Sequence, residues 1–312
     1  VKKPVLTDND VREFCETLLS REQYERFQEK REMDFSYAHS GGVRFRGNAY
    51  FQKGSMALAL RHIPDQISTI AELNLPPILE TFAERPQGFF LCVGPVGQGK
   101  STTLAALIQL INSSRADHIV TIEDPIEYVF TPDKALIDQR EVHTDTKDFS
   151  QALNAAFRQD VDVIMVGEMR NPETIGTAVT AAETGHLVLS TLHTNNAAQT
   201  IDRIIDSFPA GQQDQIRVQL AGSLAGIFSQ RLIPRIAGGL VPTYELLINN
   251  SAVANLIREQ RTHEIQTVIE TGLEQGMIDM NRSLTDLVKK GEITVENAFT
   301  YSINPKGLER LM

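Results

Sequence analysis

A glycine-rich loop between an apolar run and a helical pattern constrains this chain more than any other feature. The run Phe89–Val93 predicts a short buried strand. The loop after it matches G-x-x-x-x-G-K-[ST], the pattern of a phosphate-binding loop, through Gly94, Gly99, Lys100 and Ser101. Leucines and isoleucines then recur at helical spacing. A chance match on a glycine-rich turn is the alternative, but the order strand, loop, helix is the one that the motif requires.

The residue types of this loop suit a nucleotide phosphate. Glycines let backbone N–H groups close around phosphate oxygens, and a helix start adds unpaired N–H groups and a positive dipole end. We expect Lys100 to reach the β- and γ-phosphates and the Ser101 hydroxyl to hold Mg²⁺. The residues predicted to bind ATP are Gly94, Gly97, Gly99, Lys100, Ser101 and Thr102.

Composition limits the partners of the chain. Its 312 residues suit two domains, and 30 basic against 40 acidic residues give a net charge of −10, which argues against a broad nucleic-acid face. Two cysteines cannot build a four-cysteine zinc site, and no apolar run reaches the length of a membrane span. Because the chain opens at Val1 rather than Met, we expect a fragment that lacks its first strands.

The first 63 residues predict a small α/β domain, with two short helices and then three strand candidates. Two of these candidates, Met33–Ala38 and 43–51, flank Ser40-Gly41-Gly42 and predict a hairpin. Three arginines follow the alternation, and a solvated sheet face is the simplest interpretation of Arg44, Arg46 and Arg61. Residues 64–76, which contain Pro64 and Pro76, predict a linker to a domain over 77–312.

Strands and helices then alternate, which predicts a parallel sheet covered on both faces. Glu127 follows the strand candidate 118–122. The strand candidate 161–166 ends in Gly167-Glu168, so that a glycine stands where many nucleotide hydrolases carry the metal-binding aspartate. Glu168 is therefore our candidate to polarise the attacking water or to hold it through Mg²⁺, with a helix N-terminal charge as the alternative.

His193 ends the next strand candidate, 186–194, and is a candidate γ-phosphate sensor, although a structural histidine is equally compatible with the pattern. Residues 196–235 are predicted to be helical with a break at Pro209 and Gly211. A further strand is expected over Val241–Leu247, and helices over 250–312.

Four segments together resemble the secretion ATPase superfamily in order and approximate spacing. They are GPVGQGKSTT, TIEDPIEYVF, VIMVGEMRNPETI and TAAETGHLVLSTLHT, which match the Walker A, Asp box, Walker B and His box of that family. Within it the chain is most similar to the type IV pilus retraction ATPases, through segments such as DFSYAHSGGVRFRGNAY and ANLIREQRTHEIQTVIETG. Val96 and Gln98 depart from the usual Walker A sequence, GPTGSGKST.

This resemblance implies a RecA-like P-loop ATPase core with a smaller PAS-like N-terminal domain and a helical C-terminal region. It implies a cytoplasmic homo-hexamer at the inner membrane, without zinc, which acts on the pilus platform protein and so loosens pilin from the filament during twitching motility and DNA uptake. Glu127 and Glu168 match the catalytic glutamates. Arg46 and Arg61 match the arginines that reach the triphosphate, from a neighbouring subunit.

Two alternatives remain open at the level of sequence. One is another motor of the superfamily, such as an accessory retraction ATPase or a secretion or DNA-transfer ATPase. The other is a structural subunit that does not hydrolyse ATP, although the intact residues Lys100, Ser101, Glu127 and Glu168 argue against it.

Overall fold

The computed structural model describes residues 5–40, 43–64 and 66–312. It divides into two compact units. The N-terminal unit comprises the chain up to Ile67 together with Asp124–Val129, and the core unit comprises Ser68–Glu123 and Phe130–Met312. The division at Ile67 falls inside the predicted linker, but the sequence did not predict that a short segment after residue 123 belongs with the N-terminal unit.

In its described residues, the N-terminal unit has two helices and a three-stranded antiparallel sheet. Its elements are α1 (Asp8–Leu18), α2 (Arg21–Lys30), β1 (Glu32–Ala38), β2 (Arg44–Gln52) and β3 (Ser55–Ile63), and its strand order is β1-β2-β3. Both helices begin with a capping box, in which the Thr7 and Ser20 side chains accept backbone N–H groups. The predicted hairpin of β1 and β2 is confirmed, while Gly41 and Gly42 of its predicted turn lie outside the described residues.

The core unit contains a seven-stranded sheet. Its strands are β4 (Gly88–Val93), β5 (His118–Glu123), β6 (Leu136–Glu141), β7 (Val163–Val166), β8 (Leu187–Leu192), β9 (Leu224–Pro234) and β10 (Leu240–Ile248). They lie in the order β10-β9-β4-β8-β7-β5-β6, with every neighbouring pair parallel except β9 and β10. Parallel pairing brings the carboxyl ends of β4, β7 and β8 to one edge of the sheet, where the predicted site residues follow them.

Helices cover the sheet of the core unit on both faces. They are α3 (Glu80–Ala83), α4 (Lys100–Ser114), α5 (Phe149–Ala156), α6 (Pro172–Glu183), α7 (Ala197–Asp206), α8 (Ala210–Ser223), α9 (Ser251–Arg258), α10 (Ile265–Thr271), α11 (Met280–Lys289), α12 (Val295–Tyr301) and α13 (Pro305–Glu309). Phe89 of β4 belongs to the large core shared with α5–α9, whereas Phe90 faces the other way and contacts Phe82 of α3. No helix in the described ranges is long and apolar enough to cross a membrane.

The helical prediction for 196–235 is wrong in its last third, where residues 224–234 form β9. The segment begins with the apolar run LAGIF, and such a short run fits a buried helix or a central strand equally well. Tertiary packing decides between them, because β9 is inserted between β4 and β10 and its first seven residues are buried. Gly226 fits this place closely, since an added Cβ would lie 2.7 Å from Cε1 of Phe82 and 2.8 Å from the carbonyl oxygen of Leu247.

Candidate functional site

The loop between β4 and α4 has the backbone that the glycine pattern predicts. Gly94, Gly97 and Gly99 have φ values of 145°, 77° and 80°, a region that strongly favours glycine. Gly99 is also the residue directly before α4, so the chain turns from the loop into the first helical N–H groups at that point. The arrangement presents a helix start and loop amides together, as phosphate binding requires.

Lys100 places its charge inside this loop. Its side chain is buried, and Nζ donates to the carbonyl oxygens of Gly94 and Pro95 at 2.8 Å each. Ser101 is exposed and Thr102 is half-buried in the first turn of α4. All six residues predicted to bind the nucleotide therefore lie in one loop and the helix turn that follows it.

Three side chains form a row at the carboxyl ends of β7 and β8. Nζ of Lys100 lies 3.4 Å from Nδ1 of His193, and Nε2 of His193 lies 3.9 Å from Oε2 of Glu168. The other carboxylate oxygen of Glu168 pairs with Arg170, whose side chain is largely exposed. The structure thus brings together Lys100, His193 and Glu168.

The charge state of His193 follows from its neighbours. Burial lowers the pKa of His193, the charge of Lys100 lowers it further, and the opposing effect of Glu168 is smaller. An ammonium group can only donate, so Nδ1 facing Lys100 is the acceptor and the ring proton belongs on Nε2. The neutral ring then directs its Nε2–H group toward Glu168, and its Nδ1 atom accepts a hydrogen bond from the ammonium group of Lys100.

A second group of predicted site residues lies within the N-terminal unit. Arg46 of β2 pairs with Glu127, its NH1 lying 3.2 Å from Oε1. Arg61 of β3 is directly opposite Arg46, so both side chains leave the same face of the sheet. Two like charges at opposed strand positions repel each other, and a neighbouring negative group offsets that repulsion. Glu127 supplies one such group. Two arginines against one carboxylate leave a net positive charge, so this face favours a further anion.

Sequence reasoning did not assign Arg170, the ion-pair partner of Glu168. It also did not assign Gln230, a buried β9 side chain that contacts the phosphate loop. Arg170 lies two residues from Glu168, and an arginine so close to a candidate catalytic carboxylate was a usable signal. Gln230 had no local signal, because 132 residues separate it from Gln98, its partner in the loop.

The fold and the phosphate loop agree with a comparison against known families. Residues 66–241 match the family described as "Type II/IV secretion system protein". The chain belongs to this family. The match spans β4 through the start of β10, and so includes the loop, Glu168 and His193.

Individual relatives and a solved structure show which members of this family the chain resembles. The chain is 44% identical to "Type IV pilus retractation ATPase PilT" of Pseudomonas aeruginosa, over 96% of this chain and 87% of that one. It is 40% identical to "Type IV pilus ATPase PilU" of the same organism, over 100% of this chain and 82% of that one. A crystal structure of the pilus retraction motor PilT with bound ADP superposes with a TM-score of 0.91 at 47% identity, and covers 97% of this chain and 86% of that one.

Proposed function

We propose that the chain is the motor ATPase of type IV pilus retraction. The observation that carries this proposal is the row of Lys100, His193 and Glu168 beside an intact phosphate loop, in a chain whose fold superposes on a retraction motor with a TM-score of 0.91. The row supplies a phosphate-binding charge and a carboxylate that can position water, two of the groups that ATP hydrolysis uses, with a neutral histidine between them. PilU is less similar to the chain than PilT is, which favours the retraction motor over the accessory ATPase.

The residues of the core unit divide the work of hydrolysis. The amides of the loop and Lys100 bind the phosphates, for which Nζ of Lys100 leaves the two carbonyl oxygens that it now contacts. Glu168 accepts a proton from the attacking water and orients it for in-line attack. His193 directs its Nε2–H group toward Glu168 and responds to the presence of the γ-phosphate.

The donor set fits Mg²⁺, which prefers oxygen ligands and binds through a few protein groups together with phosphates and water. The Ser101 hydroxyl and the Glu168 carboxylate would hold it. In the described ranges, no group of three or more His, Cys, Asp or Glu side chains is placed to hold a metal ion. The bound metal would neutralise charge on the phosphates during transfer.

Two further parts of the proposal concern assembly. The motor is a homo-hexamer in which Arg46 and Arg61 reach the triphosphate of a neighbouring subunit, while Glu127 acts as the second catalytic glutamate. The ring works at the cytoplasmic side of the inner membrane and acts on the platform protein of the pilus, so that pilin leaves the filament base. The anion-suited face of Arg46 and Arg61 supports the first part.

Deletion of the gene in its source organism tests this function, with labelled pili followed by fluorescence microscopy. We expect pili that still extend but do not retract, and recovery when the wild-type chain is restored. Pili that retract normally after the deletion would contradict the proposal, and retraction that is only weakened under load would indicate an accessory motor.

A further inference from the structure

Gln230 is a buried polar side chain that joins β9 to the phosphate loop. Only 3% of it is exposed, and its Nε2 group donates to the carbonyl oxygen of Gln98 at 2.8 Å. Its backbone also lies against the loop, since a Cβ on Gly94 would be 2.4 Å from the Gln230 carbonyl oxygen. A Cβ on Gly99 would lie 2.9 Å from Nε2. Two of the loop's glycines therefore face this one residue.

A third residue fixes the orientation of the Gln230 amide. Thr103 of α4 is 1% exposed, and its hydroxyl donates to Oε1 of Gln230 at 2.6 Å. With Oε1 held by Thr103, the NH₂ end of the amide is directed at the loop. A buried amide with both ends hydrogen-bonded in this way has one orientation only.

The bond from Gln230 sets the direction of a loop N–H group. In a trans peptide the carbonyl oxygen and the following N–H point to opposite sides. Because Gln230 draws the carbonyl of Gln98 toward β9, the N–H of Gly99 points away from β9. That N–H is one of the loop donors that surround a phosphate in this motif.

The side chain of Gln98 forms a second hydrogen bond between the loop and β9. Its side-chain Oε1 accepts the backbone N–H of Leu232, also on β9, at 2.7 Å. Gln230 on β9 thus bonds to the loop that carries Gln98, and Gln98 bonds to the strand that carries Gln230. This use of Gln98 gives a physical role to one of the two positions at which the loop departs from the usual family sequence.

We propose that Gln230 is a positioning residue for phosphate binding, which holds the Gln98–Gly99 peptide of the loop in its binding orientation, with Gln98 as its complement. This inference rests on the proposed nucleotide site and names residues that set its affinity. Gln230 makes no direct contact with the nucleotide in this account. Its effect is to keep the Gly99 N–H aligned before the phosphate arrives, so that binding does not have to order it.

Replacement of Gln230 by methionine tests the proposal, because methionine keeps the length of the side chain and removes both hydrogen bonds. We expect ADP affinity, measured by isothermal titration calorimetry, to fall by about 10-fold or more, the size of one well-placed hydrogen bond. We also expect faster amide hydrogen exchange confined to the loop residues 97–102 of the nucleotide-free protein. Gln98→Ala, at a half-buried position, removes the bond to Leu232 and should shift both measurements in the same direction. Thr103→Val removes the hydroxyl that orients the Gln230 amide, should act likewise, and tests the role of Gln230 if Gln230→Met does not fold.

Thr243→Val is the matched control. Thr243 is a fully buried β10 residue whose hydroxyl donates to Ser283, so this variant also loses a buried hydrogen bond in the same sheet. It should leave ADP affinity and loop exchange unchanged. Unchanged ADP affinity in folded Gln230→Met, or exchange that rises evenly across the sheet, would overturn the role of Gln230. A wild-type chain that binds no ADP would overturn the proposed function itself.

Discussion

Among the single residues, Glu168 has the most demanding chemical role in the proposed reaction. It lies two residues after the end of β7, its Oε2 faces Nε2 of His193 at 3.9 Å, and its Oε1 is paired with Arg170. The pair with Arg170 occupies one oxygen and leaves the other on the side of the histidine. This arrangement lets one group orient the carboxylate while the opposite oxygen accepts a proton from water.

Glu168→Gln should separate ATP binding from hydrolysis. Glutamine keeps the size of the side chain and its hydrogen bonding but cannot accept the proton, so we expect kcat to fall by about 10²–10⁴-fold with ATP affinity nearly unchanged. Phosphate release and nucleotide binding are the two measurements. Glu173→Gln, an exposed carboxylate in the first turn of α6, is the control and should keep full activity. An unchanged kcat in Glu168→Gln would remove this residue from the chemical step and favour Glu127.

At the scale of elements, a buried carboxylate on β10 holds the start of α7, the helix that follows His193 and its loop. Oε1 of Glu245 accepts the N–H of Ala197 at 2.8 Å, while Oε2 has no hydrogen-bond partner in the described part of the chain. Burial raises the pKa of Glu245, the Ala197 hydrogen bond lowers it, and the charges of Asp279 and Glu270 raise it, so that it reaches about 7 instead of its ordinary 4.5. Between about pH 4.5 and pH 7 this carboxyl group is therefore protonated in the folded chain and ionised in the unfolded chain.

Because the folded state binds that proton more tightly than the unfolded state, the contribution of Glu245 to stability is fully present below about pH 4.5. It declines as the pH rises toward 7 and is then constant. Glu245→Gln removes the buried charge and should stabilise the protein at pH 8 by on the order of 1–3 kcal/mol relative to wild type. At pH 5 the advantage should largely disappear. Thermal unfolding at both pH values measures it, and an advantage that does not depend on pH would show that Glu245 is not charged at pH 8.

Some of these elements could be predicted from the sequence and others could not. The loop and the carboxylates at strand ends were predictable because each signal is local: a strand, a glycine pattern and a helix within about 30 residues. β9 was taken for a helix because an apolar run is ambiguous without its neighbours. The edge strand β6 was not predicted, since LIDQRE has few apolar residues and mixed exposure. The role of Gln230 needed the fold, which brings residues 98 and 230 together.

On the scale of the whole molecule, each of the two units carries its own group of candidate residues. The core unit carries the loop with Lys100, and the N-terminal unit carries Arg46, Arg61 and Glu127. In a ring, an arginine from one subunit can serve the nucleotide of the next and stabilise charge in phosphoryl transfer by about 10³–10⁵ in rate. The proposed assembly therefore predicts that one subunit can supply what another lacks.

A mixing experiment measures this sharing of sites. Lys100→Ala subunits keep their arginines, and Arg46→Ala subunits keep their loops, so each variant alone should be nearly inactive. Mixed rings should recover part of the ATPase activity, because some sites combine an intact loop with an intact arginine. If rings shown to contain both variants recover no activity, Arg46 serves its own subunit or has only its pairing role with Glu127.

If hydrolysis at this site drives pilus retraction, the retraction speed of single labelled pili in the deletion strain should depend on it. The strain would carry the wild-type chain, Glu168→Gln, Lys100→Ala or, as a control, Lys289→Ala, which alters an exposed lysine on α11. We predict that Lys289→Ala retracts at wild-type speed and that the other two variants lose speed in proportion to their loss of phosphate release. Retraction at wild-type speed with Lys100→Ala would contradict the claim.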